Sequence, residues 1–379
     1  YKGDYSKVIP ILIHGDAAVA GQGVVYETVQ MANLEGYKTG GTIHFVINNQ
    51  VGFTTDFDDA RSGIYCTDVA KIIDAPVIHV NGDDTEAVAF AAKTAIEYRQ
   101  HFGKDIFIDM VCYRKNGHNE SDEPRFTQPK LYNLISKHPN VREIYKNALI
   151  ERGAINAEQA EEMDRQFKEL LQSKQTQVKE KPIKYQPQKL EMEWQGMEKA
   201  KNEDFDKSPD TSISVETYEK IATALTHVPG DFKPLKQIDN LLKERKKMFF
   251  EDRKLNWAGA ELMAYGSLLL ENKIVRMSGQ DVKRGTFSHR HAYFFDSETN
   301  QPYCQLDHIT SEQQKFRIYN SHLSEFGVLG FEYGYAMATP QALVIWEAQF
   351  GDFVNGAQTM IDQFISSAET KWQRMNGLV

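Results

Sequence analysis

The chain is poor in cysteine, has no long apolar run and carries no excess of positive charge. Its three cysteines, Cys66, Cys112 and Cys304, stand far apart. They lack the close pairs of a zinc site or a disulfide framework, so a reducing compartment is expected. Apolar runs stay under about ten residues, whereas a membrane span needs about 20, and no signal-peptide pattern precedes the first apolar run. A chain without a membrane span is therefore expected. Lys and Arg number 44 against 53 Asp and Glu, a net charge of −9. That balance argues against a nucleic-acid surface, and the basic cluster 243–247 reads as a solvated helix face. Residues 14–23, HGDAAVAGQG, contain no lysine, which removes the phosphate-cradling lysine that a magnesium-dependent phosphoryl-transfer loop would want.

What is present is α/β patterning. With 379 residues, 41% of them hydrophobic, the chain can bury two domains or more. Strand-like runs at 8–13, 43–47, 77–80 and 106–111 alternate with helical stretches near 22–35 and 84–101, which predicts a parallel sheet with crossover helices. Ligands on such sheets sit at the carboxyl ends of strands, where His14-Gly15-Asp16 and Asn48-Asn49 fall. The glycine-rich stretch after the first strand reads as a loop opening a helix with a bare, anion-attracting N-terminus. From 130 to 250 the character changes: a charged amphipathic helix at 158–171, a Lys/Gln/Glu/Pro-rich linker at 173–190, and helices at 215–225 and 241–250. Patterning then resumes with a helix at 257–270, a strand at 274–277, a helix after Glu325, a strand at 343–346 and a helix at 355–366. The expectation is α/β, two parallel-sheet domains with helices on both faces joined by a helical linker: residues 1–130, linker 131–252, and 253–379.

Asp16 and Asn49 form the first constellation. A hard cation bridging a diphosphate takes oxygen ligands in near-octahedral geometry, and a carboxylate, an amide oxygen and a backbone carbonyl leave room for phosphate oxygens and water. Taken singly, Asp16 reads as a helix cap and Asn48-Asn49 as a turn. Taken together, GDAAVAGQGVVYETVQMANLEGYKTGGTIHFVINN resembles the thiamine diphosphate-binding motif, Gly-Asp followed about thirty residues later by Asn-Asn. The stretches YRKNGHNESDEPRFTQP, SGQDVKRGTFSHRHA, NSHLSEFGVLGFEYGYA and IWEAQFGDFVNGAQTMIDQFISSAE extend the likeness over nearly the whole chain. The chain resembles the thiamine diphosphate-dependent first component of 2-oxoglutarate dehydrogenase complexes, in the transketolase-like superfamily. Ala17 stands where the general motif has glycine, and alanine is familiar there within this subgroup.

The resemblance implies roles residue by residue. Asp16, Asn49 and the main-chain carbonyl of Val51 would bind Mg2+. Glu325, in LSEFG, matches the acid at the pyrimidine N1′, where protonation favours the imino tautomer that takes the proton from thiazolium C2; otherwise it opens a helix against the dipole. Phe350 and Phe353 match the aromatic pocket of the aminopyrimidine, and Phe53 the wedge that bends the cofactor. His118 resembles the loop histidine near the diphosphate, and His14 is expected beside diphosphate or thiazolium. His289 and His291, flanking Arg290, would stabilise an oxyanion and move protons.

The resemblance further implies oxidative decarboxylation of 2-oxoglutarate with reductive succinyl transfer to the lipoyl group of the dihydrolipoyl succinyltransferase, in a homodimer. The alternatives are a 2-oxoadipate dehydrogenase first component, a 2-oxoglutarate decarboxylase, and a non-catalytic scaffold that kept the fold. The chain also looks like a middle piece of such a protein, inactive in isolation. The bacterial cytoplasm is the expected location, with the mitochondrial matrix the alternative.

Overall fold

Two separate parallel sheets carry the fold of the computed structural model, which describes residues 3–181, 184 and 189–379. The chain divides into two units, Tyr1–Gln186 and Pro187–Val379.

In the first unit the strands are β1 (Ile11–Gly15), β2 (Ile43–Asn48), β3 (Val51–Gly52), β4 (Thr55–Asp56), β5 (Val77–Asn81) and β6 (Ile106–Val111). Four of them form a parallel sheet in the order β1-β2-β6-β5, and β3 and β4 pair antiparallel just beyond β2. The continuous run Ile106-Phe107-Ile108 is buried, as suits a strand covered on both faces. The first strand starts at residue 11 rather than 8, because Pro10 has no N–H to give the ladder. Helices α1 (Asp16–Gly21) and α2 (Gly23–Gln30) follow β1 directly, so the expected loop at 14–23 is largely helical. Its alanines favour that outcome. The helix that begins there is six residues long with Asp16 in its first turn, so its N-terminus faces an acid and is not a bare anion site.

After α3 (Phe57–Ala60), α4 (Thr85–Phe102) packs on β5 and β6, capped by the Asp84 side chain and ended by Gly103 in the left-handed region. Buried Arg99 on α4 donates to the carbonyls of Tyr5, Val8, Thr39 and Gly41 at 2.7 to 3.0 Å. It thereby ties down the chain leading into β1 and β2. Helices α5 (Pro129–Ile135), α6 (Val141–Glu151) and α7 (Ala157–Glu180) complete the unit. Helix α7 starts on an Asn156/Gln159 capping box and runs nine residues past the predicted end at 171. Gln, Lys and Glu are good helix formers and need no apolar period when the helix is solvated. The rest of the expected linker includes residues 182–183 and 185–188, which lie outside the described residues.

In the second unit a short α8 (Lys189–Glu193) precedes Trp194, whose indole donates to the Met337 carbonyl at 2.7 Å. Helices α9 (Val215–Leu225) and α10 (Lys236–Lys246) follow, the latter continuing as a π-helical turn to Asp252, and α11 (Trp257–Leu270) comes next. Ile221, Leu225, Phe249, Leu262 and Leu269 from these elements share one core with Val275, Met277 and Ile318. The strands are β7 (Val275–Gly279), β8 (Tyr293–Phe295), β9 (Pro302–Cys304), β10 (Phe316–Asn320) and β11 (Leu343–Glu347). The sheet is parallel in the order β10-β7-β11, with β8-β9 a separate hairpin. Strand β10 had no counterpart in the sequence reading. The predicted helix at 355–366 is instead a 3-10 turn (Gly351–Ala357), one helical turn and a π-helical turn (Ile361–Ile365).

Helix α12 (Phe326–Ala338) is bound to this sheet through charge. Arg276 in the central strand donates from Nε and Nη2 to both oxygens of Glu332 at 2.7 Å, and the Ser278 hydroxyl donates to Glu332 at 2.7 Å. Both charged residues are buried, and the guanidinium lies 4.6 Å from the Tyr335 ring centroid. Breaking a buried, hydrogen-bonded pair leaves an uncompensated charge, so Glu332→Ala is expected to cost roughly 3–5 kcal/mol. The urea midpoint of the transition that includes the second unit measures this, and replacing both partners, Arg276→Met with Glu332→Leu, is expected to recover most of the loss.

Candidate functional site

Asp16 sits where β1 runs into α1. Gly15 pairs with Ile47 in register, which brings Asp16 and the Asn48-Asn49 turn to the same end of the sheet. Asn48 is buried and its Nδ2 donates to Asp109 at 3.0 Å, while the other Asp109 oxygen meets His79 Nδ1 at 2.9 Å. Thus anchored, the chain turns through Gln50 in the left-handed region (φ 67°), held by its Nε2 donating to the Cys112 carbonyl. The Asn49 side-chain oxygen accepts from the Val51 N–H at 3.2 Å. Gly52 makes room for Ala17: a Cβ at residue 52 would lie 2.9 Å from the Ala17 methyl. The alanine in place of the motif glycine is thus accommodated by a glycine opposite it.

The Asp16 carboxylate is buried, and its ion-pair partner is Arg61 at a long 3.4 Å. Burial pushes its pKa up, against the pull of Arg61 and of nearby backbone N–H groups. A desolvated carboxylate so weakly compensated suits a cation. The described residues hold no group of three or more His, Cys, Asp or Glu side chains arranged for a metal. Helix α1 packs on β3, so Asp16 shares its end of the sheet with the Asn49–Val51 turn, whose amide and main-chain oxygens are of the kind a hard cation takes alongside a carboxylate.

Phe53 and His118 meet on the same unit, ring centroids 4.6 Å apart. Phe53 is half exposed in the left-handed region, its carbonyl accepting from Arg114 at 2.8 Å. The His118 N–H donates to Asp122 at 2.8 Å. His14 belongs to a chain of side chains that runs from β1 through β2 to Asp105, the residue before β6. The Asp105 carboxylate accepts from Thr42 N–H at 2.8 Å and from His44 Nε2 at 3.1 Å. That assignment leaves His44 Nδ1 to accept from His14 Nε2, also 3.1 Å away. Burial first, and then His44, pull the His14 pKa down to about 4. A neutral His14 whose one N–H is already spent brings no positive charge to a diphosphate.

The second unit gathers a different group. Glu325 is the N-cap of α12, and its Oε1 accepts from Gln280 Nε2 at 2.7 Å. Gly356 lies against Oε2, where a Cβ would come within 3.0 Å of that oxygen. The same 3-10 turn carries Phe353, edge-on to Phe350 at 5.6 Å. Phe350 in turn meets Phe287 at 5.7 Å, and Phe287 lies 6.3 Å from His289. The His289 ring rests over Gly285 (φ 84°), where a Cβ would come within 2.3 Å of Cε1. Arg290, buried between the two histidines, donates to Glu261, Glu347 and the Val282 carbonyl at 2.5 to 3.1 Å. His291, at φ 42°, turns its Nε2 to the Ser288 hydroxyl at 2.9 Å. Burial, and then Arg245, keep its pKa below the usual histidine value. His289 therefore joins the aromatic group while His291 closes its own loop.

Sequence reasoning missed Gln280, Phe287 and Arg61. Gln280 and Phe287 lay within a quoted motif but carried no signal of their own, and Gln280 is 45 residues from the glutamate it serves.

Residues 2–186 match the family model described as dehydrogenase E1 component, and residues 253–379 that described as transketolase, pyrimidine binding domain. The chain is 48% identical over 377 residues to the 2-oxoglutarate dehydrogenase E1 component of Brucella anthropi, covering 99% of this chain and 37% of that protein. It is 47% identical over 384 residues to the protein of the same name from Haemophilus influenzae, covering 99% of this chain and 40% of that protein. The chain thus spans about two fifths of the length of the curated relatives it matches.

The His14 environment has a consequence for stability. Folded, His14 stays neutral down to about pH 4, whereas in the unfolded chain it protonates near 6.5. Between those values the unfolded state binds more protons, so stability is held above pH 6.5 and falls as the pH drops toward 4. Urea midpoints at pH 7 and pH 5 are expected to differ more in the wild type than in His14→Gln.

Proposed function

Because the chain belongs to the dehydrogenase E1 component family, with its second unit matching the transketolase pyrimidine-binding domain, we propose that it forms the cofactor-binding part of a 2-oxoglutarate dehydrogenase. Its reaction on this reading is oxidative decarboxylation of 2-oxoglutarate with reductive succinyl transfer to the lipoyl group of the succinyltransferase partner. The observation that carries it is the seat of Glu325: a carboxylate at the start of α12 with one oxygen held by Gln280, the other lying against Gly356 with no donor among the described residues, and an edge-on phenylalanine pair on the adjoining turn.

Thiamine diphosphate, when bound, supplies a carbon nucleophile and an electron sink. Asp16, Asn49 and the Val51 carbonyl would hold the Mg2+ that accompanies its diphosphate, with Ala17, His14, Phe53 and His118 as the cofactor-binding residues near by. Glu325 would hold a proton at the pyrimidine N1′ through the oxygen Gln280 leaves free. Phe350 and Phe353 would give that ring an apolar wall. His289 and His291 would stabilise charge developing on the substrate oxygen and pass protons to it. In this reading residues 1–130 serve the diphosphate and metal, 253–379 the pyrimidine, and 131–252 connect them. The diphosphate part of one subunit works with the pyrimidine part of another, in a homodimer of the bacterial cytoplasm. Among the described residues no helix is long and apolar enough to cross a membrane.

Carbon dioxide release by the full-length protein from 2-oxoglutarate and from 2-oxoadipate tests this. The wild type is expected to prefer 2-oxoglutarate, and Glu325→Gln to lose roughly a hundredfold or more in kcat while retaining cofactor. Turnover of neither acid, or an unchanged rate in the variant, would contradict the reading. Chelation of magnesium is expected to release thiamine diphosphate from the wild type, and Asp16→Asn to reproduce that loss with metal present.

A further inference from the structure

Arg61 is largely buried, and it is less well partnered than three fully buried arginines of the chain. Arg99, Arg276 and Arg290 each spend Nε and further donors on acceptors within about 3 Å. Arg61 follows α3 in extended backbone, and its guanidinium lies 5.8 Å from the Phe57 ring centroid. Its side chain is 11% exposed, its Nη1 makes only a long 3.4 Å pair with Asp16, and its Nε is buried with no hydrogen-bond partner. A buried guanidinium with a free donor is costly unless something else takes it up. A planar fork of donors matches the oxygens of a phosphate better than it matches one distant carboxylate oxygen.

We propose that Arg61 is a diphosphate-binding residue which, in the cofactor-free protein, stands in for the metal as the counter-ion of Asp16. The proposal rests on the reading of Asp16 as a metal ligand. It gives Arg61 two effects of opposite sign. Toward a divalent cation alone Arg61 is a competitor, because both seek the same carboxylate and like charges repel. Toward a cation carrying a diphosphate it is an ally: Asp16 passes to the metal, and the released guanidinium takes an anionic oxygen. A residue that merely shaped the loop would weaken both ligands together.

The test uses the full-length protein and its Arg61→Gln and Arg61→Lys variants, with folding checked by circular dichroism and ligands titrated without substrate. Mn2+ alone, followed by electron paramagnetic resonance, is expected to bind Arg61→Gln more tightly than wild type. Inorganic pyrophosphate and thiamine diphosphate, each titrated calorimetrically with Mg2+ present, are expected to bind it roughly tenfold or more weakly. Arg61→Lys keeps the charge and loses the fork, so it is expected to resemble wild type toward Mn2+ and to bind pyrophosphate less tightly. Equal weakening of Mn2+ and pyrophosphate, or no change in either, overturns the proposal. If the wild type fails to bind magnesium thiamine diphosphate, the functional reading itself falls and this inference with it. If the wild type binds and the variants match it, only the role of Arg61 falls.

Discussion

A carboxylate buried at the end of a parallel strand, with too little around it to balance its charge, is the constraint on which the first unit depends. Asp16 loses its water to the sheet and to α1, and backbone N–H groups with one arginine at 3.4 Å return only part of that cost, so its pKa stays raised. The neighbouring structure is arranged about this deficit. Asp109 fixes Asn48, Gln50 turns the chain in a left-handed conformation, and the Asn49 side-chain oxygen accepts from the Val51 N–H at the same end of the sheet. On the proposed reading, Asp16 and these neighbours hold a hard cation, which in turn makes a place for an anion.

In the second unit the logic is the reverse, because Glu325 is supplied with a partner rather than deprived of one. Gln280 reaches it from the turn after β7, whose last residue, Gly279, admits no side chain: a Cβ would lie 2.0 Å from the Glu347 carbonyl oxygen. Helix α12, on which Glu325 sits, is fixed two turns further on by the buried Arg276–Glu332 pair. The strand, the helix and the carboxylate are thus held by neutral and ionic contacts that leave one oxygen of Glu325 uncommitted. That arrangement is what the proposed proton-holding role of Glu325 rests on.

The sequence was most legible where local chemistry and packing agree. Helices at 215–225 and 257–270 lie at their predicted bounds because Ser214 and Asn256 cap them by side chain. Strand β10 escaped notice because its polar residues alternate with Phe316 and Ile318, a half-buried pattern too short to stand out. The stretch after His14 looked like a loop because glycine dominated the reading, yet its alanines made a helical turn. Asp16, Asn49 and Glu325 were singled out through their motifs, and their proposed roles rest on those motifs. Gln280, Phe287 and Arg61 were not, since each acquires its partner only when topology brings a distant segment to the end of a strand. The polarity of the His14–His44–Asp105 chain was equally hidden, for it depends on the neighbour order β1-β2-β6.

The most direct measurement is an experimental structure of the full-length protein with magnesium and thiamine diphosphate. The expected result is a metal ion held by the Asp16 carboxylate, the Asn49 side-chain oxygen and the Val51 carbonyl, with Glu325 against the pyrimidine N1′. A structure in which these residues hold no metal, or in which Glu325 faces away from the cofactor, would contradict it.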